Sequence, residues 1–226
     1  MREIIIDVET TGLDHKRGDR IIELACVELL NHVATGGFIQ FYCSTDKQIG
    51  EDAFKIHGLS NSFLSKFPTF EEQAQSFLNF IKQDKLIIHN AEFDIGFINN
   101  ELKLIGLNHL NNNVIDTVLL ARKKLNTRIA NLDYLCKRFS IDLSSRKTHG
   151  ALKDCQLLSE VYLELLGGKQ TVLEFFDNKT PQEDNIVKKQ ISPNKVHKIE
   201  VTHEEKNIHK KTFGGASKFL WKTSNY

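Results

Sequence analysis

Residues 3–9 read EIIIDVE, three consecutive isoleucines closed at each end by acids. A short apolar run with such boundaries fits a buried strand. Strand side chains alternate between faces, so Asp7 and Glu9 project together and Val8 projects opposite. Two carboxylates at the end of a buried strand repel each other and lose hydration unless something neutralises them. Either a divalent cation lies between them, or both acids sit in a solvated loop beyond the strand. Thr10, Thr11 and Gly12 follow at once. Gly12 allows a tight turn, and the threonine hydroxyls and nearby amides could face a phosphate or nucleotide.

The rest of the first 166 residues alternates between two rhythms. Residues 21–30 and 37–43 are β-like, joined to the first run by short loops, which suggests an antiparallel meander. Thr69 is a suitable N-cap with Glu71 and Glu72 in the first turn, and Phe70, Ala74, Phe77, Leu78 and Ile81 recur at helical spacing. Residues 86–89 form a short strand, and 91–105 a helix with Phe93, Phe97, Ile98, Leu102 and Ile105 inward. Val114 and Ile115 suggest another short strand. Helices follow near 117–124, 131–139 and 150–166, the last with Leu152, Leu157, Leu158, Val161 and Leu165 on one face. The fold class expected is α/β, a mixed sheet flanked by helices.

Charge divides the chain. Among its 226 residues, 30 Lys and Arg oppose 29 Asp and Glu. Residues 177–226 hold ten of those lysines and six of the acids, a net of +4, so residues 1–176 carry −3. The tail has too few apolar side chains to offset ordering entropy, so 177–212 are expected to be a flexible linker. Phe219, Leu220 and Trp221 at its end are either a frayed terminus or a docking peptide. No apolar run approaches the roughly 20 residues of a membrane helix. The opening MREIIIDVE has no apolar core longer than three residues and is not expected to be a secretory signal. Cys26, Cys43, Cys136 and Cys155 form no C-x-x-C pair and are expected to be reduced thiols of a cytoplasmic protein.

Two further clusters carry candidate chemistry. In HNAEFD (89–94) the strand ends at His89, Asn90 can cap the next helix, and Asp94 falls in its first turn. Loops at strand ends in α/β sheets bind ligands, although an acid there also suits the helix dipole. In THGALKD, His149 precedes the last helix and Asp154 lies a little over one turn along it. A loop histidine is usually solvated, but one near metal-bound carboxylates is a candidate general base.

Taken together, Asp7, Glu9, Asp94 and Asp154, with His149 five residues before the last, resemble the histidine branch of the DEDD superfamily of 3′–5′ exonucleases. DVETTGL, HNAEFDIGF and HGALKDCQLL carry the likeness. The resemblance implies a ribonuclease-H-like fold. More closely, AFKIHGL, ARKKLN, HGALKDCQLLSEVYLELLGG and the terminal GGASKFLWK resemble the proofreading epsilon-subunit family of bacterial DNA polymerase III. That likeness spans residues 1–176, a 3′–5′ exonuclease domain, and returns at 213–226.

The resemblance implies that Asp7, Glu9 and Asp154 hold two Mg²⁺ or Mn²⁺ ions, that His149 deprotonates the attacking water, and that Asp94 supports the site. Asp116 falls where the family has a further acid and is expected behind the ligands. Asp52 and His57 fall where the family contacts the terminal nucleotide of the DNA 3′ end, with Asp52 standing where a Glu is expected. Apart from the resemblance, His57 is a capping or solvated loop residue. The segment at 170–175, with Gln170, Leu173 and Phe175, resembles the Q-x-x-L-x-F peptide that docks on the sliding clamp, or else is a helix remnant on the core. The terminal peptide would bind the polymerase catalytic subunit, and such tethering would let intrinsic DNA affinity be modest. The function implied is removal of mispaired 3′-terminal nucleotides. The alternatives are an exoribonuclease trimming RNA 3′ ends and a non-catalytic polymerase–clamp scaffold.

Overall fold

In the computed structural model, residues 1–168 (apart from 145 and 147) and 202–213 are described. Ile4, Ile5 and Ile6 lie in β1 (Arg2–Thr10) and are wholly buried. β1 is the middle of a five-stranded sheet. On one side it pairs antiparallel with β2 (Ile21–Leu30), which pairs antiparallel with β3 (Val33–Tyr42). On the other side it pairs parallel with β4 (Lys85–Ile88), which pairs parallel with β5 (Val114–Asp116). The order is β3-β2-β1-β4-β5, the expected mixed sheet. β3 starts four residues earlier than the sequence suggests. Asn31 and His32 adopt left-handed φ of 50° and 71°, the twist of a two-residue hairpin, and this brings Val33 opposite Leu30.

Each face of the sheet has its own core. α3 (Phe70–Ile81) and α4 (Ala91–Leu104) pack on Ile4, Ile6 and Val8 through Phe70, Phe77, Phe97 and Leu102. Thr69 is the N-cap of α3 as expected, and with Glu72 it forms a capping box. On the opposite face, α6 (Leu132–Arg138) and α7 (Ala151–Leu165) cover Ile5, Ala25 and Ile87 through Leu135, Leu158, Val161 and Leu165. α5 (Thr117–Leu125) leads from β5. Asp7 and Glu9 continue the odd-numbered face of β1, the face that α7 covers. The four cysteines are buried and free.

Two short helices had no clear mark in the sequence. α1 (Glu51–His57) and α2 (Asn61–Leu64) span seven and four residues, too short for a visible apolar period. Asn90 takes the N-cap position of α4 but not the expected role. Its φ is 69°, and its side chain makes no capping bond. The Asp116 carboxylate accepts from Ala91 N instead, at 3.1 Å.

Arg20, at the entry to β2, makes a two-pronged bond to the Glu101 carboxylate on α4 at 2.7 and 2.6 Å, and Ile21 N donates to the same group. Glu101 is 1% exposed and Arg20 about a third exposed. Arg20→Met should therefore cost roughly 2–4 kcal/mol by leaving a buried carboxylate without its cation. Urea denaturation measures this, and a loss below about 0.5 kcal/mol would show that water already serves Glu101.

The chain divides into Met1–Glu174 and Phe175–Tyr226. Within the second unit, α8 (His203–Phe213) lies, except for Phe213, in the range expected to be linker. Thr202 N donates to Glu205 Oε2 at 2.8 Å and Glu205 N to Thr202 Oγ1 at 3.3 Å, a capping box that a compositional average conceals. The rest of that range, the clamp-like segment with Gln170, Leu173 and Phe175, and the terminal Phe219, Leu220 and Trp221 lie outside the described residues. Among the described residues, no helix is long and apolar enough to cross a membrane.

Candidate active site

β4 stops pairing with β1 at Ile6, opposite Ile88. The last residues of β1 therefore run on with one edge open, at the carboxyl end of the two parallel strands where α/β sheets bind ligands. Asp94, in the first turn of α4, fills part of that edge. Its Oδ1 accepts from Val8 N at 3.2 Å, and the side chain is 3% exposed. Asp94 thus holds the backbone between Asp7 and Glu9.

The turn after β1 is held by its own hydroxyls. Thr10 Oγ1 donates to Gly12 O at 2.6 Å, and Arg20 N donates to Thr11 Oγ1 at 3.0 Å. Both threonines are buried, so these hydroxyls brace the turn and do not face a phosphate. Gly12 is required for space. A Cβ there would lie 2.4–2.8 Å from the Asp19 carboxylate.

α7 brings the other half of the site. Asp154 sits in its first turn and is 6% exposed. His149 lies just before the helix with its side chain 47% exposed, and its Nδ1 is 3.2 Å from Asp154 Oδ2. The preceding loop is tied down by His149 N, which donates to Ile56 O at 3.1 Å. Arg146, absent from the sequence expectations, grips Asp154 through Nε and Nη2 at 2.7 and 2.5 Å and also bonds Asp133. Ligand atoms of Glu9, His149 and Asp154 come within 4.8 Å of one another.

The charges behave as a crowded anionic cluster should. Desolvation, then the neighbouring Asp94 and Glu9 charges, pushes Asp7 well above the carboxylate range. Glu9 is pushed up to about 8, by desolvation first and then by Glu23 and Asp154. Asp94 is also raised well up, chiefly by desolvation. Asp154 goes the other way. Burial opposes its charge, but His149 and Arg146 more than offset this and hold it low. In return the Asp154 bond raises His149. A cluster of carboxylate oxygens, two of them on acids that resist ionising side by side, fits a hard divalent cation.

The remaining candidates lie around this cluster. Asp116 caps α5, accepting from Val118 N at 2.8 Å as well as from Ala91, and so fixes the starts of two helices behind the site. Asp52 is on the outer face of α1, almost fully exposed and paired with Lys55 at 3.0 Å. His57 ends α1 and is buried, not solvated. Leu59 N donates to its Nδ1 at 3.0 Å, which leaves Nε2 a buried atom without a partner among the described residues.

The sequence model of the Exonuclease family matches residues 4–162. A relative from Rickettsia felis, called DNA polymerase III subunit epsilon, is 44% identical over 218 residues, covering 93% of this chain and 94% of that one. The Escherichia coli protein of the same name is 39% identical over 190 residues, covering 80% and 78%.

The chain belongs to the DNA polymerase III epsilon-subunit family.

Solved structures agree with the epsilon-family fold. Exonuclease X in complex with 5′-overhanging duplex DNA aligns with a TM-score of 0.58 at 22% identity, over 73% of this chain and 90% of that one. The nuclease domain of 3′hExo, a DEDDh family member bound to rAMP, aligns at 0.65 and 17%, over 73% and 91%. The fold is ribonuclease-H-like, and the protein is a nuclease that acts on DNA within polymerase III. Two residues of this epsilon-family site escaped the sequence expectations. Arg146 looked like one basic residue in a polar loop. Glu23 is an acid in the otherwise apolar start of β2, two residues from Ile21, and that break in the apolar pattern was the available signal.

Proposed function

We propose that Asp7, Glu9, Asp94, Asp154 and His149 form the hydrolytic centre of this 3′–5′ proofreading exonuclease. The supporting observation is their convergence from β1, α4 and α7 on the open end of β1. Asp7, Glu9 and Asp154 would hold two Mg²⁺ or Mn²⁺ ions, which supply charge neutralisation and a more acidic water for in-line displacement. His149 accepts the proton of the attacking water in this proposal, and its Nδ1 is held 2.8 Å from Arg146 Nη2 and 3.2 Å from Asp154 Oδ2. Water oxygen bonds to phosphorus, the P–O3′ bond breaks, O3′ stays on the shortened strand and takes up a proton from solvent, and the terminal nucleotide leaves as a 5′-monophosphate. Asp94 keeps the end of β1 fixed through Val8 N.

Mispaired ends are selected because an unpaired terminus reaches the cleft at lower cost than a paired one. His57 contacts the terminal nucleotide in this proposal, and its unpartnered Nε2 supports that role. For Asp52 the support is the family resemblance and its place on α1. Docking through Gln170, Leu173 and Phe175 to the clamp, and through Phe219, Leu220 and Trp221 to the polymerase subunit, is supported by sequence resemblance. A cytoplasmic location follows from the family's role.

The proposal carries a pH signature. Glu9 has a folded-state pKa of about 8 against its usual 4.5. An acid raised in this way favours folding fully below the unfolded value, and that contribution is lost as pH rises through the folded one. The metal-free protein should therefore lose thermal stability between pH 5 and pH 8. Mn²⁺ should raise the melting temperature more at pH 8 than at pH 5, because binding needs the carboxylates ionised. Calorimetry with EDTA and with Mn²⁺ tests this, and a metal-independent melting temperature at pH 8 would contradict the ligand set.

A further inference from the structure

Residues 139–150 join α6 to α7 and bring His149 to the site, yet no described residue among them lies in a helix or strand. Loops are the mobile parts of a fold unless side chains tie them down. Among the described residues, two groups of 142–149 bond to other elements. One is His149 N, which donates to Ile56 O at 3.1 Å. The other is the Arg146 side chain, which is 7% exposed. Its Nε donates to Asp154 Oδ1 at 2.7 Å and its Nη2 to Asp154 Oδ2 at 2.5 Å. Nη2 is also 2.8 Å from His149 Nδ1, and Nη1 donates to Asp133 on α6.

These contacts need a fork. A guanidinium is planar, carries five N–H donors in fixed directions and meets a carboxylate with two of them, whereas a lysine ammonium is a single point on a flexible stem. Reaching Asp154, His149 and Asp133 at once takes all three guanidinium nitrogens. Asp154 stays able to ligate, because a carboxylate offers about four lone-pair sites and the two-pronged pairing uses two. A carboxylate that holds an ion is commonly fixed by an outer hydrogen-bond partner, whose loss costs about 10–100-fold in affinity or activity. The His149 ring is held from its Nδ1 side, where Asp154 Oδ2 also lies at 3.2 Å, and the ring is otherwise half exposed.

We propose that Arg146 is the positioning residue of this centre: it ties Asp154 and His149 to each other and to α6, and so sets where the carboxylate and the ring stand relative to Glu9. This rests on the reading of Asp154 as a ligand and His149 as the base. The shape of the guanidinium performs the task. Its charge alone does not, since a cation beside Asp154 repels any ion brought to that carboxylate. A lysine at this position therefore fails, and a free guanidinium ion in the space left by a smaller side chain restores the function.

The experiment measures, in full-length variants, hydrolysis of a single-stranded DNA 3′ end with Mg²⁺ and, separately, Mn²⁺ affinity by calorimetry. Arg146→Ala should lower kcat about tenfold or more with KM within about threefold, and should weaken Mn²⁺ binding about tenfold. Arg146→Lys should lie within about threefold of Arg146→Ala in both readouts. Low-millimolar guanidinium chloride, far below denaturing levels, should recover kcat and Mn²⁺ affinity in Arg146→Ala, and sodium chloride at the same ionic strength should not. An Arg146→Lys close to wild type would assign the effect to charge and overturn the proposal. So would tighter Mn²⁺ binding by Arg146→Ala, or a folded Arg146→Ala that guanidinium does not recover. If Arg146→Ala does not fold, recovery of its folding by guanidinium supports the proposal, and failure to recover overturns it. Asp154→Asn tests the underlying reading. Wild-type Mn²⁺ affinity in Asp154→Asn would overturn the hydrolytic reading and the proposal with it. Lost affinity in Asp154→Asn, with wild-type affinity in both Arg146 variants, would overturn the positioning role alone.

Discussion

Asp7→Ala combined with Glu9→Ala is expected to reduce 3′-end hydrolysis to the uncatalysed background while leaving the fold intact. Each tenfold of rate is about 1.4 kcal/mol of barrier, and in the proposed centre loss of the ions would remove stabilisation of both attacking and leaving oxygens at once. The structural side of the expectation is equally definite. Both carboxylates are held above their usual pKa, first by desolvation and then by neighbouring acids, so the metal-free protein carries them at a cost. Their removal should leave the melting temperature in EDTA unchanged or raised, the usual trade of stability against function. A double variant that is inactive because it is unfolded would show that β1 depends on these acids structurally. One that still degrades single-stranded DNA at the wild-type rate would show that the ligands lie elsewhere.

His149→Ala is expected to lower kcat by about 10²–10⁴ at saturating Mg²⁺, the range a positioned general base contributes. The geometry admits a competing role. His149 approaches Glu9 and Asp154 closely enough for all three to ligate one ion. Manganese titration separates the two. A base can be removed with ion affinity largely kept, whereas removing a ligand weakens binding in parallel with turnover. The half-exposed ring favours the base, because attacking water can reach it. A fall in kcat smaller than tenfold would take His149 out of that role.

How much of this was legible beforehand follows the range of each signal. The isoleucine run, the Thr69 N-cap and the apolar face of α7 are local patterns, and the elements formed where those patterns lie. The pairing of Asp7 with Glu9 follows from strand alternation alone. Bringing Asp94 and Asp154 to them needed the family resemblance, because no local rule joins residues that far apart in sequence. Three features were hidden for identifiable reasons. α1 has seven residues and a glycine N-cap, so it offered neither period nor cap. Asn90 looked like a cap by residue type, yet its left-handed backbone turns the task over to Asp116. Glu23 resembled an ordinary polar position on a strand, and its neighbours, Gln40 on β3 and Glu9 on β1, are brought to it only by the folded sheet.

The same reasoning explains the near-neutral overall charge. An acidic core and a basic tail nearly cancel. Nucleic-acid binding usually shows as basic surplus, but a cleft lined with carboxylates attracts divalent cations first and meets phosphate through them.

The most direct measurement is Mg²⁺-dependent release of 3′-terminal nucleotides from DNA duplexes with mismatched and matched ends, made with wild-type protein and with Asp7→Ala. The expected result is 5′-monophosphate release that is faster from the mismatched end, abolished by EDTA and absent in Asp7→Ala. Equal rates on both ends would contradict selection by melting, and activity that survives both EDTA and Asp7→Ala would contradict the hydrolytic centre itself.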